Sequence, residues 1–299
     1  MSSGHILVTG AAGFLGSAIV RQAVNAGFSV TATDRIISTK FPGIDFIPAD
    51  ILDSSSLSKA FEGVDCVCHV AGLAHIFNKS EVLSAPYHAV NVVGTENVVR
   101  AAVKAGVKHF VFISSVSVYG GEALGKDEDS ECHPESPYAE SKWQAERSLI
   151  ELCQKEGGNL TILRLATLYG EEDPGNGGRL IRSIERGRFV WVGKGENLKS
   201  LLHREDAARA CIAVIKAPVS GINIYNVSAP SCKMSDIVAA IALALGKSVP
   251  SWYVPAHFAL NSAKIIKTLS FNRGRLSTIR GTLQKWLVDD YYNVDKLCN

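Results

Sequence analysis

Residues 9–16 read TGAAGFLG and directly follow the apolar run Ile6-Leu7-Val8. They place Gly10, Gly13 and Gly16 at three-residue spacing, where a strand ends and a helix is expected to begin. Glycine is common in any tight turn, but between a strand and a helix it has a sharper meaning. Removing side chains there lets an anion such as a pyrophosphate approach the backbone N–H groups at the positive end of the helix. The spacing departs from the more familiar GxGxxG, so the turn is a weak signal by itself. It gains weight from Asp34, which ends the next β-rich run, TATDR. A carboxylate there accepts hydrogen bonds from the hydroxyls of an adenosine ribose and repels a 2′-phosphate, which favours NAD as cofactor. Arg35 next to it pulls the other way, because an arginine beside the ribose can bind that phosphate. NADP is therefore the alternative.

Outward from this turn, short β-rich runs recur at 5–10, 28–33, 45–50, 65–72, 109–115 and 160–165. Between most of them apolar residues fall at helical spacing, as in Phe14, Leu15, Ala18 and Ile19, or Val90, Val93, Val98, Ala101 and Ala102 before Gly106. Such alternation predicts βαβ units in a Rossmann-like α/β fold with a doubly wound parallel sheet. The nearly all-apolar strands agree, since helices would cover both faces. After about residue 166 the rhythm loosens. Residues 1–166 are expected to form the NAD(P)-binding domain, with elements returning to it around 200–228. Residues 167–299 are expected to supply a smaller, discontinuous α+β lobe for the substrate.

Composition excludes several other functions. With 299 residues, 46% of them hydrophobic, the chain can bury a large core. Its formal charge of +2 and the absence of a dense Lys/Arg run leave no nucleic-acid footprint. The seven cysteines are scattered, and no CxxC pair recurs at metal-ligand spacing, so reduced thiols and no metal are expected. Cys66 and Cys68 are expected on opposite faces of one buried strand. No apolar stretch reaches the ~18 residues of a membrane span. Strand-like sequence begins by residue 5, leaving no room for a signal peptide, so a cytoplasmic protein is expected.

A second constellation lies in PYAESK, which sets Tyr138 and Lys142 four residues apart. On a helix capped by Ser136 and begun by Pro137, that spacing stacks phenol and ammonium on one face. A free tyrosine titrates near 10, too high for a base at neutral pH, and a nearby cation is expected to lower it. In FVFISSVSVYG, Ser114 and Ser115 end a run that reads as a central strand, where open α/β sheets bind their ligands.

With these pieces together the chain resembles the extended short-chain dehydrogenases/reductases of the NAD-dependent epimerase/dehydratase family. The resemblance runs through TGAAGFLG, Asp34, AD at 49–50, HVAG at 69–72, NVVGT at 91–95, SSVSVYG at 114–120, YAESK at 138–142 and LRLATLYG at 163–170. It implies Ser115, Tyr138 and Lys142 as the catalytic set. It also implies a cofactor site of Gly10, Gly13, Phe14, Leu15, Gly16, Asp34, Arg35, Asp50, Ile51, Ala71, Gly72, Tyr138 and Lys142. Asn91 matches a helix asparagine that supports the site.

Most members of that group act on nucleotide-diphosphate sugars, so the resemblance implies such a substrate, UDP-linked. The implied contacts are Ser115 and Thr167, with Asn176, Arg179 and Lys199 on the diphosphate. Three features depart from the pattern. Lys199 stands where an arginine is usual, Thr167 where an asparagine is usual, and AGLAHIF carries Ala74 and His75 where galactose-type 4-epimerases often have a lysine. The expected activity is a 4-epimerase, and the alternative is a 4-ketoreductase. Val116 and Ser117 replace the Asp–Glu pair of sugar 4,6-dehydratases, and the retained Tyr/Lys pair argues against a non-catalytic NAD(P) sensor. A homodimer is also implied, through helices at about 81–105 and 137–156. Trp143 and Leu149 on the second helix serve either that interface or the domain's own core.

Overall fold

The computed structural model describes residues 4–38, 41–74, 84–121, 123–251, 253–254 and 287–298. Its first strands are β1 (His5–Thr9), β2 (Ser29–Thr33), β3 (Asp45–Phe46), β4 (Cys66–His69) and β5 (His109–Ser115). Next come β6 (Ala123–Lys126), β7 (Asn159–Leu165), β8 (Thr167–Tyr169), β9 (Trp191–Val192), β10 (Leu198–Lys199) and β11 (Leu201–His203). The remaining described strands are β12 (Ile222–Val227), β13 (Cys232–Lys233), β14 (Tyr253–Val254) and β15 (Asp290–Tyr292). The helices are α1 (Phe14–Asn25), α2 (Ser54–Leu57), α3 (Ser84–Tyr87), α4 (Gly94–Lys104) and α5 (Pro137–Glu156). They continue with α6 (Asn176–Glu185), α7 (Arg204–Lys216) and α8 (Met234–Ala244).

Seven strands form a wholly parallel sheet in the order β12-β7-β5-β4-β1-β2-β3. The pleat explains why its strands read as apolar throughout. Successive side chains alternate faces, and both faces are covered. Ile6, Val8, Val111, Ile113, Leu163 and Leu165 meet the core shared with α1 and α7. Leu7, Val67, Phe110, Phe112, Leu160 and Ile162 meet the core under α4 and α5. Cys66 and Cys68 both lie in the first of these cores. This corrects the expectation of opposite faces, because the two-residue period of a strand returns i and i+2 to the same side. Trp143 packs against the same core and Leu149 is buried in the second, so both serve the domain itself.

β12 pairs with β7 across Ile222–Val227, returning the chain to the first sheet after an excursion. α6 of that excursion and α8, which follows β12, build a smaller core from Leu180 and Ile184 with Met234, Ile237, Val238 and Ala242. A second sheet, ordered β13-β10-β15-β6, joins this region to the segment that follows β5. Among the described residues no helix is long and apolar enough to cross a membrane.

The sheet order reverses direction between β1 and β4, which creates a crevice at the carboxyl ends of those strands. Ligands of open α/β sheets bind at such a reversal. The glycine turn follows β1, and Ala71-Gly72 follows β4, so both face this crevice.

Candidate active site

The glycine turn is built by close backbone approaches. Gly10 has φ +66°, and a Cβ there would lie 2.7 Å from the Ala71 backbone. A Cβ at Gly16 would be driven into the Gly10 carbonyl oxygen. Gly13 precedes the first turn of α1, and its N–H donates to the Gly10 carbonyl at 3.0 Å. Leu15 anchors α1 in the core, and the half-buried Phe14 ring lies 5.2 Å below the Arg204 guanidinium. At the end of β2 the Asp34 carboxylate accepts the Ala12 N–H at 3.1 Å and the Arg35 N–H at 2.7 Å. The carboxylate is therefore seated against the turn, while Arg35 is exposed.

Further along the crevice, Asp50 accepts the Leu52 N–H at 2.9 Å. Ile51 is buried against Gly94, and its carbonyl accepts from the Asn97 amide at 2.9 Å. Gly72 sits so that a Cβ would lie 3.1 Å from Asn91 Oδ1 and 3.4 Å from Lys142 Nζ. A side-chain-free turn at a helix N-terminus, with a carboxylate at the next strand end, fits a dinucleotide: backbone amides for the pyrophosphate and Asp34 for a ribose.

The proposed chemical groups stand at the end of β5 and the start of α5. Ser136 caps α5 by accepting the Ala139 N–H at 3.2 Å, and Pro137 occupies its first turn. Ser115 Oγ accepts the Ser117 N–H at 3.2 Å and lies beside the Tyr138 phenol. Burial pushes that phenol up to about 12, partly offset by the Ser115 hydroxyl and reinforced by neighbouring Tyr87. The Tyr87 and Tyr138 rings meet edge to face at 6.1 Å.

Lys142 departs from expectation. Its ammonium donates to the Ile113 carbonyl at 2.8 Å and lies 4.6 Å above the Phe112 ring. In this arrangement the lysine does not lower the tyrosine. Burial lowers Lys142 itself to about 8, with Glu146 opposing.

The remaining residues expected to meet the substrate are spread over the second lobe. Thr167 is half-buried on β8. Asn176 opens α6, and its Oδ1 is buried without a hydrogen-bond partner among the described residues. Arg179 is exposed one turn later. Lys199 is buried on β10 and pairs with Asp290 of β15 at 3.8 Å, so part of its charge is already met within the protein. His75 lies outside the described residues.

Four groups near these sites escaped the sequence reading. Tyr87 faces the phenol. Asp173 accepts the Gly175 and Gly178 N–H groups at the start of α6, each at 2.6 Å. Glu146 stands two turns beyond Tyr138 and takes the Ser114 hydroxyl. His69 is buried beneath the crevice. The spacing of Tyr138, Lys142 and Glu146, each four residues from the next, was the one signal that could have revealed Glu146.

Comparison with known proteins agrees with this architecture. The profile of the NAD dependent epimerase/dehydratase family matches residues 6–228. The chain is 36% identical over 257 residues to the N-acetyl-alpha-D-glucosaminyl-diphospho-ditrans,octacis-undecaprenol 4-epimerase of Escherichia coli O157:H7, covering 84% of this chain and 75% of that protein. It is 30% identical to the UDP-glucose 4-epimerase of Vibrio cholerae, over 84% of this chain and 78% of the relative. Among solved structures, MoeE5 in complex with UDP-glucuronic acid and NAD superposes with a TM-score of 0.74 at 32% identity, covering 85% of this chain and 86% of that one. The glycine turn, the Tyr/Lys helix and these matches place the chain in one group: it belongs to the NAD-dependent epimerase/dehydratase family.

Proposed function

We propose that this chain is an NAD-dependent 4-epimerase of a diphosphate-linked sugar, with a UDP-sugar as the first candidate substrate. The observation that carries the reading is the meeting of Ser115 at the end of β5 with Tyr138 on α5, one helical turn from Lys142, whose ammonium lies beside the Gly72 turn. Held by the glycine turn and Asp34, NAD would supply reversible hydride acceptance at sugar C4. The protein's part is proton handling and orientation. Ser115 holds the sugar 4-oxygen, and Tyr138 takes its proton and later returns it. A phenol near 12 is a poor base at neutral pH. Lys142 corrects this when its ammonium leaves the Ile113 carbonyl for the phenolate side of the site.

The two-part division of the chain follows from the same reading. Residues 1–166 with the returning segment 200–228 hold NAD, and the rest of 167–299 holds the substrate. Thr167, Asn176, Arg179 and Lys199 are the proposed substrate contacts there, the diphosphate falling to the last three. A homodimer through the outer faces of α4 and α5 belongs to the proposal. Those faces line a groove in which Val92 lies among Glu96, Gln144, Arg147, Ser148 and Glu151.

A second reading concerns the carrier of the sugar. The Escherichia coli relative is named for a polyprenyl diphosphate sugar rather than a nucleotide sugar. In this chain, residues 237–288 carry seven Lys/Arg and no Asp or Glu, a charge balance suited to an anionic lipid surface.

The test is to incubate purified protein with UDP-glucose, UDP-N-acetylglucosamine, polyprenyl-diphospho-N-acetylglucosamine in detergent and a UDP-4-keto sugar. Each is run with and without NADH or NADPH, and products are identified by NMR. Interconversion of C4 epimers without added reductant supports the epimerase, and the substrate that turns over names the carrier. Stoichiometric oxidation of reduced nucleotide with the keto sugar alone would decide for a ketoreductase.

A further inference from the structure

His69 is the last residue of β4, has no exposed surface, and takes no part in the chemistry above. Both ring nitrogens are engaged: Nδ1 meets Thr9 Oγ1 at 2.7 Å, and Nε2 meets Thr95 Oγ1 at 3.0 Å. The threonines fix which nitrogen carries the proton. Thr95 gives its own hydroxyl proton to the Asn91 carbonyl at 2.7 Å, so its oxygen must accept from the ring. Thr9 Oγ1 already accepts the Val70 and Ala71 N–H groups, each at 3.2 Å, so its proton goes to Nδ1. The Thr95 end puts a proton on Nε2 and the Thr9 end keeps Nδ1 bare, so together they require the neutral Nε2–H form. Burial, helped by the Lys142 charge, lowers this imidazole to about 3. Phe112 stacks on the ring at 5.8 Å.

The chain of bonds continues to the catalytic helix. The Asn91 side chain clamps Leu73 at both backbone groups, accepting its N–H at 2.7 Å and donating to its carbonyl at 3.0 Å. The same amide donates to Ser141 at 2.9 Å, and the Ser141 hydroxyl donates to the Tyr138 carbonyl at 2.8 Å. Asn91 reaches this position from a π-helical stretch, His88–Val93, a local widening of the helix that recurs at functional sites. Residues 70, 71 and 73 are thus bound from two sides, through Thr9 and through Asn91, and both supports end on His69.

We propose that His69 is a positioning residue whose neutral Nε2–H ring spaces β1 from α4 and so fixes the Ala71–Gly72–Leu73 turn against Lys142. The turn's edge on the crevice makes this a determinant of cofactor affinity, and that part rests on the NAD reading above.

Three measurements test it. In full-length protein with ¹⁵N-labelled histidine, long-range NMR correlations at neutral pH should show His69 as the Nε2–H tautomer. The Nδ1–H form or a charged ring would overturn the proposal. Thr95→Val removes the acceptor for Nε2–H and should weaken NAD binding about tenfold, the loss expected for one buried hydrogen bond, while Thr95→Ser restores it. A lowered melting temperature with unchanged NAD affinity would reduce His69 to core packing and overturn the proposal. Amide exchange at Ala71 and Leu73, measured without NAD, should quicken in Thr95→Val and recover in Thr95→Ser. If wild-type protein fails to bind NAD, the cofactor reading falls, and the tautomer and exchange rates still decide whether His69 fixes the turn.

Discussion

Arg164 on β7 and Glu146 on α5 form an ion pair at 2.7 Å in which both side chains are almost wholly buried. The guanidinium also donates to the Tyr119 phenol at 2.8 Å, and Tyr119 donates to Asn226 at 2.8 Å. Arg164 lies over the Tyr119 ring at 4.9 Å, and the Glu146 carboxylate takes the Ser114 hydroxyl beside Ser115. The strand that ends at Ser115 is thereby tied to the helix that carries Tyr138.

Breaking this pair from one side leaves a buried charge without its counterion. Glu146→Leu or Arg164→Met alone should cost about 3–5 kcal/mol of stability. The double substitution should recover most of that loss, because an apolar pair of similar volume strands no charge. Denaturant unfolding of the three variants checks this through a double-mutant cycle. Additive losses would show that the two groups act separately.

Lys142 titrates near 8 in the folded chain against an ordinary 10.5. Between those values the unfolded chain binds more protons, so stability rises with pH across that window. The destabilisation is fully present below about 8 and gone above about 10.5. Lys142→Met should therefore be more stable than wild type at neutral pH, by on the order of 3 kcal/mol, and melt at a higher temperature. The gap should close as the pH approaches 10.5. Paired melting scans of NAD-free protein measure it, and a gap independent of pH would refute the assignment.

Tyr138→Phe keeps the ring and removes the hydroxyl to which proton transfer is assigned in the proposed mechanism. Turnover should fall at least a hundredfold, the scale of general acid–base contributions, with NAD affinity within a factor of two of wild type. Ultraviolet difference titration offers a second check. The wild-type phenol should titrate near 12 without NAD and lower with it, and Lys142→Met should abolish the drop. Near-normal kcat in Tyr138→Phe would remove the phenol from the chemistry.

Gly10→Ala places a methyl group 2.7 Å from the Ala71 backbone at a left-handed φ of +66°. The strain alone is of order 1–2 kcal/mol, and the clash separates the glycine turn from the turn after β4. NAD affinity should fall by more than tenfold, with a lowered melting temperature, in calorimetric titration. Retained affinity would mean that the turn has room this structure does not show.

The parts of the site that sequence made legible are those whose meaning is local. Gly10 to Gly16 and Tyr138 to Lys142 are spacings within one turn of chain, and Ser136-Pro137 announces a helix by itself. Asp34 needed only the end of the next strand. His69, and the partners of Glu146, were illegible for the opposite reason. The partners of His69 come from residues 9 and 95, and those of Glu146 from 114 and 164. No periodicity connects such positions until the sheet order is known. Lys199 shows the same limit: a lysine in a loop-like stretch reads as a free cation, but Asp290 lies beside it from a strand much later in the chain. The order of events at Lys142 was hidden too, because the ammonium's choice of the Ile113 carbonyl depends on how closely β5 passes beneath α5.

The second sheet gives the chain's own synthesis a timetable. β6 pairs with β15 in register Asp290 to Ala123, and β15 is also the neighbour of β10. Every strand of the seven-stranded sheet has been made once residue 227 leaves the ribosome. The partner of β6 is still missing at that moment, and at 5–20 residues per second it follows Ala123 by roughly 10–30 s. Until it arrives β6 stays open as an unpaired strand edge, as does one side of β10 once that strand is made, and such edges invite association with other chains. A nascent chain stalled before residue 290 would hold a finished nucleotide-binding sheet beside two unprotected edges, which gives chaperones a defined reason to wait for the last strand.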